Sequence, residues 1–143
     1  MRVYIYSRSD INRLLERGID DKVAIISFAD SKLDFIDFPE NANVIKIAFC
    51  DIRPFTTSKS EYDNVLPEAK EIAAFIIKHR ALNHDIVCQC DYGISRSSGC
   101  AAAIMEHYFN RGIDVFSDYR FTPNQFVYRR VLDELNLLDK KQY

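Results

Sequence analysis

The chain has 143 residues, of which 48% are hydrophobic and 28% charged, and its net charge at neutral pH is −2. This length and balance indicate one globular domain, 1–143, that can bury a core without metal or disulfide staples. The weak net charge and the lack of like-charge runs or long apolar runs argue against wholesale binding to nucleic acid or membranes.

The N-terminal sequence and the cysteines bear on the compartment. The opening residues "MRVYIYSRSD" lack the apolar core and cleavage site of a signal peptide. The four cysteines lie in or beside apolar segments and suggest no disulfide framework: Cys50, Cys88, Cys90 and Cys100. A reducing, cytoplasmic location is therefore expected.

The first half of the chain predicts strands interrupted by one helix. The strands are rich in β-branched and aromatic residues, and the second is apolar enough to be buried on both faces. Ser9 is the predicted N-cap of the helix and Gly18 its end. The segment 30–41 mixes acids with aromatics and fits either a short edge strand or a surface loop. The predicted elements are a strand at 2–6, a helix that ends before Gly18, and strands at 22–29 and 43–50.

The second half continues this alternation after a polar loop. Pro67 fits the first turn of a helix, where its missing N–H does no harm. Gly112 is expected to end the helix that follows the fourth strand. Thr122, Pro123 and Gln125 have the pattern of an N-cap, a first helical residue and a capping-box partner. The predicted elements are a helix at 65–82, a strand at 84–90, a helix at 96–110, a short helix within 113–121 and a last helix after Thr122.

Strands that alternate with helices favour a mostly parallel sheet flanked by helices. In such sheets the functional crevice lies beyond the carboxyl ends of the strands. The segment "CDYGISRS", residues 90–97, begins at a strand end of this kind. It is therefore the first candidate for a site.

This segment has the composition of an anion-binding turn. Gly93 gives the backbone freedom for a sharp turn, so that the loop N–H groups can form a concave anion nest. A helix that starts near Arg96 adds unpaired N–H groups, and the guanidinium can hold two phosphate oxygens. In this field Cys90 is expected to be a thiolate that attacks bound phosphorus and forms a phosphocysteine. Ser97 or Ser95 could donate a hydrogen bond to that thiolate.

Cleavage of a phosphate ester also needs a group that protonates the leaving oxygen and later takes a proton from water. Asp51 is the best candidate, because it directly follows a buried strand and starts the polar loop. Glu61, Asp63 and Asp91 are alternatives, although the residue after Cys90 is expected to point away from the pocket.

Structural interpretations compete with these functional ones. Cys90 and Arg96 could be a buried strand-end cysteine and a surface arginine, and Asp51 could cap a turn. Cys88 and Cys90 form a C-x-C pair, but no second pair or nearby histidine completes a metal site.

The remaining cysteines and the histidines are expected to be structural. Cys50, Cys88 and Cys100 fit small buried hydrophobes, although a protective disulfide with Cys90 stays open. The three histidines are expected at the surface: His79, His84 and His107.

The spacing of Cys90, five residues, Arg96 and then Ser97, with Gly93 central, resembles the signature of the cysteine-based protein tyrosine phosphatases. The stretch "DYGISRSSG" is most similar to the dual-specificity branch, and "TPNQFVYRRVLDEL" also follows that family's order. The resemblance covers the last 100 residues well and the first 40 loosely. It implies an α/β fold with a central, mostly parallel sheet of four or five strands and helices on both sides.

The resemblance also implies an activity, which is metal-independent hydrolysis of phosphotyrosine and in some members of other phosphate esters. It implies Cys90 as nucleophile, Arg96 as phosphate clamp, Ser97 as thiolate partner, and Asp51 as general acid and then base. The phosphate-binding residues that it implies are Asp91, Tyr92, Gly93, Ile94, Ser95 and Arg96. No cofactor is expected, and the expected partner is a phosphorylated protein or peptide bound by a monomer, with no nucleic acid or membrane involved.

The chain departs from the resemblance at Gln89, where the family usually has His. Glutamine can hydrogen-bond but cannot carry charge, so we expect weaker support for the Cys90 thiolate and lower activity. The substrate stays open among phosphoproteins, phosphoinositides, nucleotides and RNA 5′-phosphates, with polyanions disfavoured by the weak overall charge. Phe55, Tyr62 or Tyr92 could stack on a phenyl phosphate.

Two other functions also stay open. A catalytically weak relative would only hold phosphorylated ligands. An arsenate reductase or sulfurtransferase could use a similar loop, but arsenate reduction usually needs further shuttling cysteines, and no suitable downstream pair is present.

Overall fold

The computed structural model describes residues 1–51 and 64–139. Within these residues the strands form one sheet and all pair in parallel. The strands are β1 (Val3–Tyr6), β2 (Val23–Ala29), β3 (Asn43–Ala48) and β4 (Asp85–Gln89). Their order across the sheet is β1-β4-β2-β3, so β4 is an interior strand between β1 and β2.

Helices cover both faces of this sheet, because its strands alternate apolar side chains between two cores. The helices are α1 (Arg8–Arg17), α2 (Ala69–Ala81), α3 (Arg96–Phe109), α4 (Ile113–Phe116) and α5 (Gln125–Leu138). On one face, Ile25 and Val87 pack with Ile11 of α1. On the other, Ile26 and Cys88 pack with residues of α2, α3 and α5. The predicted class, a parallel sheet flanked on both sides, is confirmed, with four strands in the described part of the chain.

The strand register brings the carboxyl ends of three strands to one edge. Tyr6 of β1 lies opposite Gln89 of β4, and Gln89 lies opposite Ser27 of β2. The turn after β4 therefore emerges between the ends of β1 and β2. Strands β2 and β4 are almost wholly buried, as their apolar sequences predict.

Two helices in the first part of the chain begin away from their predicted starts. Ser7 rather than Ser9 caps α1, because the Ser7 side chain and that of Asp10 form a reciprocal capping box. Helix α2 begins at Ala69 rather than at 65. Before it, Leu66 is buried in the core with a left-handed φ of 52°, so the chain is not helical at this residue, although the apolar pattern predicted a helix there.

The last helix also starts later than predicted. Asn124 is the N-cap of α5, so Thr122 and Pro123 lie before the helix. Thr122 and Asn124 donate backbone N–H groups to carbonyls of the turn after β4. This pairing draws the segment along the turn, and the helix begins only beyond it.

Two further boundaries differ from the sequence patterns. Helix α3 ends where Asn110 adopts a left-handed conformation with φ of 55°, and not at Gly112, which instead precedes α4. The segment 30–41 is a loop with one 3₁₀ turn at Lys32–Asp34, so it adds no edge strand.

The burial of the cysteines and histidines differs in part from the sequence-based expectation. Cys88 and Cys100 are buried as predicted, whereas Cys50 lies beyond the end of β3 and is exposed. His79 and His107 are buried and not at the surface as expected. Each ring makes a hydrogen bond to another side chain, which compensates for the lost contact with water. Across residues 1–51 and 64–139, no helix has the length and apolar character needed to cross a membrane.

Candidate active site

The backbone N–H groups of the turn after β4 have no backbone acceptor in the described part of the chain. Within the described ranges, none of the N–H groups from Asp91 to Ser97 donates a hydrogen bond to another part of the chain. The carbonyls of Asp91, Ile94 and Ser95 accept bonds from neighbouring backbone N–H groups at 2.9–3.1 Å. The carbonyl groups of the turn are thus bonded to the rest of the fold, whereas its N–H groups can bind an anion, which is the arrangement of an anion nest. The first N–H groups of α3 add the positive end of the helix dipole.

The junction of β1 and α1 forms a wall behind this turn. Cys90 donates its backbone N–H to the Tyr6 carbonyl at 3.2 Å. Gly93 has φ of 68°, and a Cβ built there would lie 2.8 Å from the Ser7 nitrogen. Glycine is therefore required both by the conformation and by the close approach of the α1 N-terminus.

Cys90 lies at the floor of the turn, where it is 2% exposed. Its Sγ is 3.1 Å from the Ser97 Oγ. Cys88 lies two residues earlier on β4, and its pKa is raised well above the ordinary value because it hydrogen-bonds with Cys100 and is buried. Cys88 therefore stays protonated and unreactive, which separates its role from that of Cys90.

Arg96 is held in one orientation by two short hydrogen bonds. Its Nη1 donates to Asp30 Oδ1 and to the Phe49 carbonyl, both at 2.8 Å. The Arg96 side chain is 5% exposed, so the Asp30 carboxylate also compensates a buried positive charge. Nη2 lies 4.0 Å from Asp91 Oδ2, which is an ion-pair distance and too long for a hydrogen bond. Among the described residues, the hydrogens on Nε and Nη2 can therefore bind two oxygens of an anion.

Asp51 follows β3 and lies above the same turn. Its Oδ1 accepts a hydrogen bond from Ser95 Oγ at 2.9 Å and another from Asn124 Nδ2 at 2.7 Å. The carboxyl group is thereby tied both to the turn and to the start of α5.

These groups meet at one pocket of about 160 Å³. The pocket is lined by Asp51, Cys90, Tyr92, Ile94, Ser95, Arg96 and Thr122. It is small beside drug-sized pockets of about 300–1,000 Å³ and suits a compact group such as a phosphate. Tyr92 is 81% exposed and Ile94 43% exposed, so the loop offers apolar surface beside the polar floor.

Other residues singled out in the sequence have different contacts from those expected, or lie outside the described ranges. Ser95, an alternative partner for the thiolate, bonds instead to Asp51. The Asp91 carboxylate lies 3.4 Å from Arg8 Nη1 and 4.0 Å from Arg96 Nη2, and Asp91 is not among the residues that line the pocket. Four candidate residues fall outside the described ranges: Phe55, Glu61, Tyr62 and Asp63. Within those ranges, no group of three or more potential metal-ligand side chains is present.

The sequence analysis did not identify two residues of the site, Asp30 and Asn124. Asp30 directly follows the buried strand β2, and the argument that singled out Asp51 after β3 could have found it. Asn124 is a preferred N-cap residue, but Thr122 and Pro123 matched a capping pattern two residues earlier.

Gln89 directly precedes Cys90 at the end of β4 and is fully buried. Its Oε1 accepts a hydrogen bond from Ser27 Oγ, while its buried Nε2 has no partner in the described part of the chain. An unpaired buried donor costs about 1–3 kcal/mol. This position therefore carries a stability cost and supplies no charge to the site.

No protein-family model matches the sequence, and no curated protein matches it significantly. Its fold is similar to three solved phosphatase-like structures. A structure of PTPMT1 in complex with PI(5)P has a TM-score of 0.56 and 12% identity, over 99% of this chain and 95% of that one. Human tyrosine phosphatase-like serine/threonine/tyrosine-interacting protein has a TM-score of 0.58 and 16% identity, over 92% and 85%. DUSP15 has a TM-score of 0.60 and 17% identity, over 98% and 86%. The chain thus has the fold of the cysteine-based tyrosine phosphatases, as the sequence resemblance implied.

Proposed function

We propose that this chain is a metal-independent phosphate monoester hydrolase that works through a phosphocysteine on Cys90. The observation that carries the proposal is the convergence of the unbonded loop N–H groups, the Arg96 guanidinium and the Cys90 Sγ on one small pocket. Such a set binds a phosphoryl group and stabilises the charge that develops on its oxygens during transfer. The remaining group, Asp51, lines the same pocket.

In the first step the substrate phosphate binds the loop N–H groups and the Nε and Nη2 of Arg96. The Cys90 thiolate attacks phosphorus in line with the ester oxygen, so the S–P bond forms as the P–O bond breaks. Asp51 gives its proton to the departing oxygen, and the alcohol or phenol leaves neutral.

In the second step Asp51, now a carboxylate, takes a proton from water. The resulting hydroxide attacks the phosphocysteine, the P–S bond breaks, and inorganic phosphate is released. Ser97 lies 3.1 Å from the sulfur and donates a hydrogen bond to the departing thiolate. This contact makes Cys90 a better leaving group.

The proposed substrate is an aryl phosphate, and in the cell a phosphotyrosine of a protein or peptide. The exposed Tyr92 ring and Ile94 side chain provide apolar surface where a phenyl ring would lie. Among the described residues that line the pocket, Arg96 is the one cation, which supports a single phosphate over a polyanionic headgroup. The proposed enzyme acts in the cytoplasm, a reducing compartment that keeps a catalytic thiol reduced.

The proposal is tested by phosphate release from a phosphotyrosine peptide, a phosphoserine peptide and PI(5)P, the lipid present in the PTPMT1 structure. We expect the highest kcat/KM on the phosphotyrosine peptide. Cys90→Ser is expected to lower kcat by at least about 10³-fold, and Asp51→Ala by about 10²-fold. Cys50→Ser, which removes an exposed thiol outside the pocket, is the matched control and is expected to retain activity.

The rival functions predict other outcomes. A module that only binds phosphorylated ligands would hold the phosphotyrosine peptide without releasing phosphate, and this result would refute the enzyme. A sulfurtransferase would not depend on Asp51, so an Asp51→Ala protein whose kcat equals that of the wild type would exclude the proposed mechanism. Preferred hydrolysis of PI(5)P would keep the mechanism but replace the proposed substrate.

A further inference from the structure

Asn124 presents its amide to Asp51 in a single orientation. Its Oδ1 accepts the backbone N–H of Val127 at 3.1 Å, which is the N-cap bond of α5. Because the oxygen is committed to the helix, the amide nitrogen must lie on the other side. There Nδ2 donates to Asp51 Oδ1 at 2.7 Å. The helix cap therefore determines which atom of Asn124 faces the carboxyl group.

The Asn124 backbone is held as firmly as its side chain. Its N–H donates to the Ser95 carbonyl at 2.9 Å, and its carbonyl accepts from Tyr128 N at 3.0 Å. Gly99 of α3 packs so closely that a Cβ there would lie 2.6 Å from the Asn124 carbonyl oxygen. Asn124 is 5% exposed, so few other positions are open to its side chain. It is thus a rigid link between α3, α5 and the anion-binding turn.

A second donor reaches the same atom of Asp51. Ser95 Oγ donates to Oδ1 at 2.9 Å, so two hydrogen bonds converge on one carboxyl oxygen. When the carboxyl group is protonated, the oxygen that accepts both hydrogen bonds is the carbonyl oxygen, because a hydrogen on it would occupy one of the two lone pairs that face the donors. The proton of the neutral form then resides on Oδ2.

We propose that Asn124 is a positioning residue that, together with Ser95, orients Asp51 so that its transferable proton is carried by Oδ2. This inference rests on the proposed phosphatase function. The donors distinguish two otherwise equivalent oxygens and keep the acid at the pocket that holds Cys90. Proton transfer to the leaving oxygen then proceeds from one defined atom, without a search among carboxyl rotamers.

The test uses Asn124→Ser and Asn124→Gly. Serine retains a helix-capping oxygen but is too short to replace the amide donor, and glycine at an N-cap costs only a few tenths of a kcal/mol. Each variant is assayed on an aryl phosphate with a strongly electron-withdrawing ring, whose phenolate leaves without a proton, and on a phosphotyrosine peptide, whose leaving oxygen needs one. We expect about a tenfold loss of kcat on the peptide and little change on the activated ester.

The combination with Asp51→Ala separates positioning from a structural role. Adding Asn124→Ser to Asp51→Ala is expected to cause no further loss on the peptide, because the group that Asn124 orients is already absent. Equal losses on both esters, or a loss that multiplies with that of Asp51→Ala, would overturn the inference and leave the phosphatase intact. A wild-type protein that hydrolyses neither ester would overturn the proposed function and this inference with it.

Discussion

The Asp30–Arg96 pair offers a sharp test of how Arg96, the proposed phosphate-binding residue, is held in place. Asp30→Ala removes the carboxylate that binds Arg96 Nη1 at 2.8 Å and leaves the Phe49 carbonyl as the neighbouring acceptor. A hydrogen bond to a charged group is worth about 1.5–3 kcal/mol. The Asp30 side chain is 56% exposed, and solvent screening places the expected value at the lower end, about 1.5 kcal/mol.

If this energy holds the guanidinium in its productive orientation, its loss corresponds to about a tenfold fall in kcat/KM. The assay is steady-state hydrolysis of a phosphotyrosine peptide at low ionic strength. Asp34→Ala is the matched control, because it removes the same charge from the same loop while its side chain contacts Ser31 and not Arg96. The two variants therefore share any long-range change in charge and differ in the contact with Arg96.

Equal kcat/KM values for Asp30→Ala and Asp34→Ala would refute this reasoning, since the long-range charge alone would then account for both. A rise in activity of Asp30→Ala would also refute it. In that case the carboxylate would be competing with phosphate for the guanidinium and not orienting it.

Gly93→Ala is expected to lower the free energy of unfolding, measured in urea, by about 2 kcal/mol or more. Gly18→Ala is the control, because Gly18 also has a positive φ of 91° but no atom lies within 4 Å of the new Cβ, and it should lose less. Equal losses would contradict the clash of the Gly93 Cβ with Ser7. Gln89→His is expected to speed iodoacetate alkylation of Cys90 below neutral pH, because a second cationic group would favour the thiolate; an unchanged rate would refute a role for this position. Burial lowers the pKa of His79, so the unfolded chain, whose histidine titrates near about 6.5, binds more protons and stability falls as pH drops below that value. His79→Gln should therefore remove a loss of up to about 1 kcal/mol between about pH 8 and about pH 6, and an identical pH dependence in both proteins would exclude this cause.

The parts of the site that the sequence predicted are those encoded within a few consecutive residues. The turn from Cys90 to Ser97 has its glycine, thiol and guanidinium in one short stretch after an apolar strand, so its shape could be inferred locally. The partners of the turn could not be inferred in this way. Asp30 reaches Arg96 from 66 positions away, and Asn124 reaches Asp51 from 73.

The misplaced helix starts have the same origin. Near Thr122 the sequence contained a good capping pattern, but pairing of this segment with the turn after β4 moved the start of α5 to Gln125. At Leu66 an apolar side chain that fits a helical stripe is buried from a left-handed backbone instead. In both places long-range contacts outweighed local propensity, which differs among residues by less than about 1 kcal/mol.

The wall formed by β1 and α1 has a consequence for the protein's biosynthesis. Tyr6 and Ser7 leave the ribosome about 80 residues before Cys90 and Gly93, the groups that they support. Until β4 has been translated, β1 lacks the strand with which it pairs in the described sheet, and both of its edges are open to chaperones or other nascent chains. The turn that carries Cys90 can therefore take up its supported position only after both β1 and β4 have been made. Val127, Val131 and Leu135 of α5 complete the core that contains Cys90. We therefore expect ribosome-bound chains that end before α5 to release no phosphate, and chains that include α5 to release it.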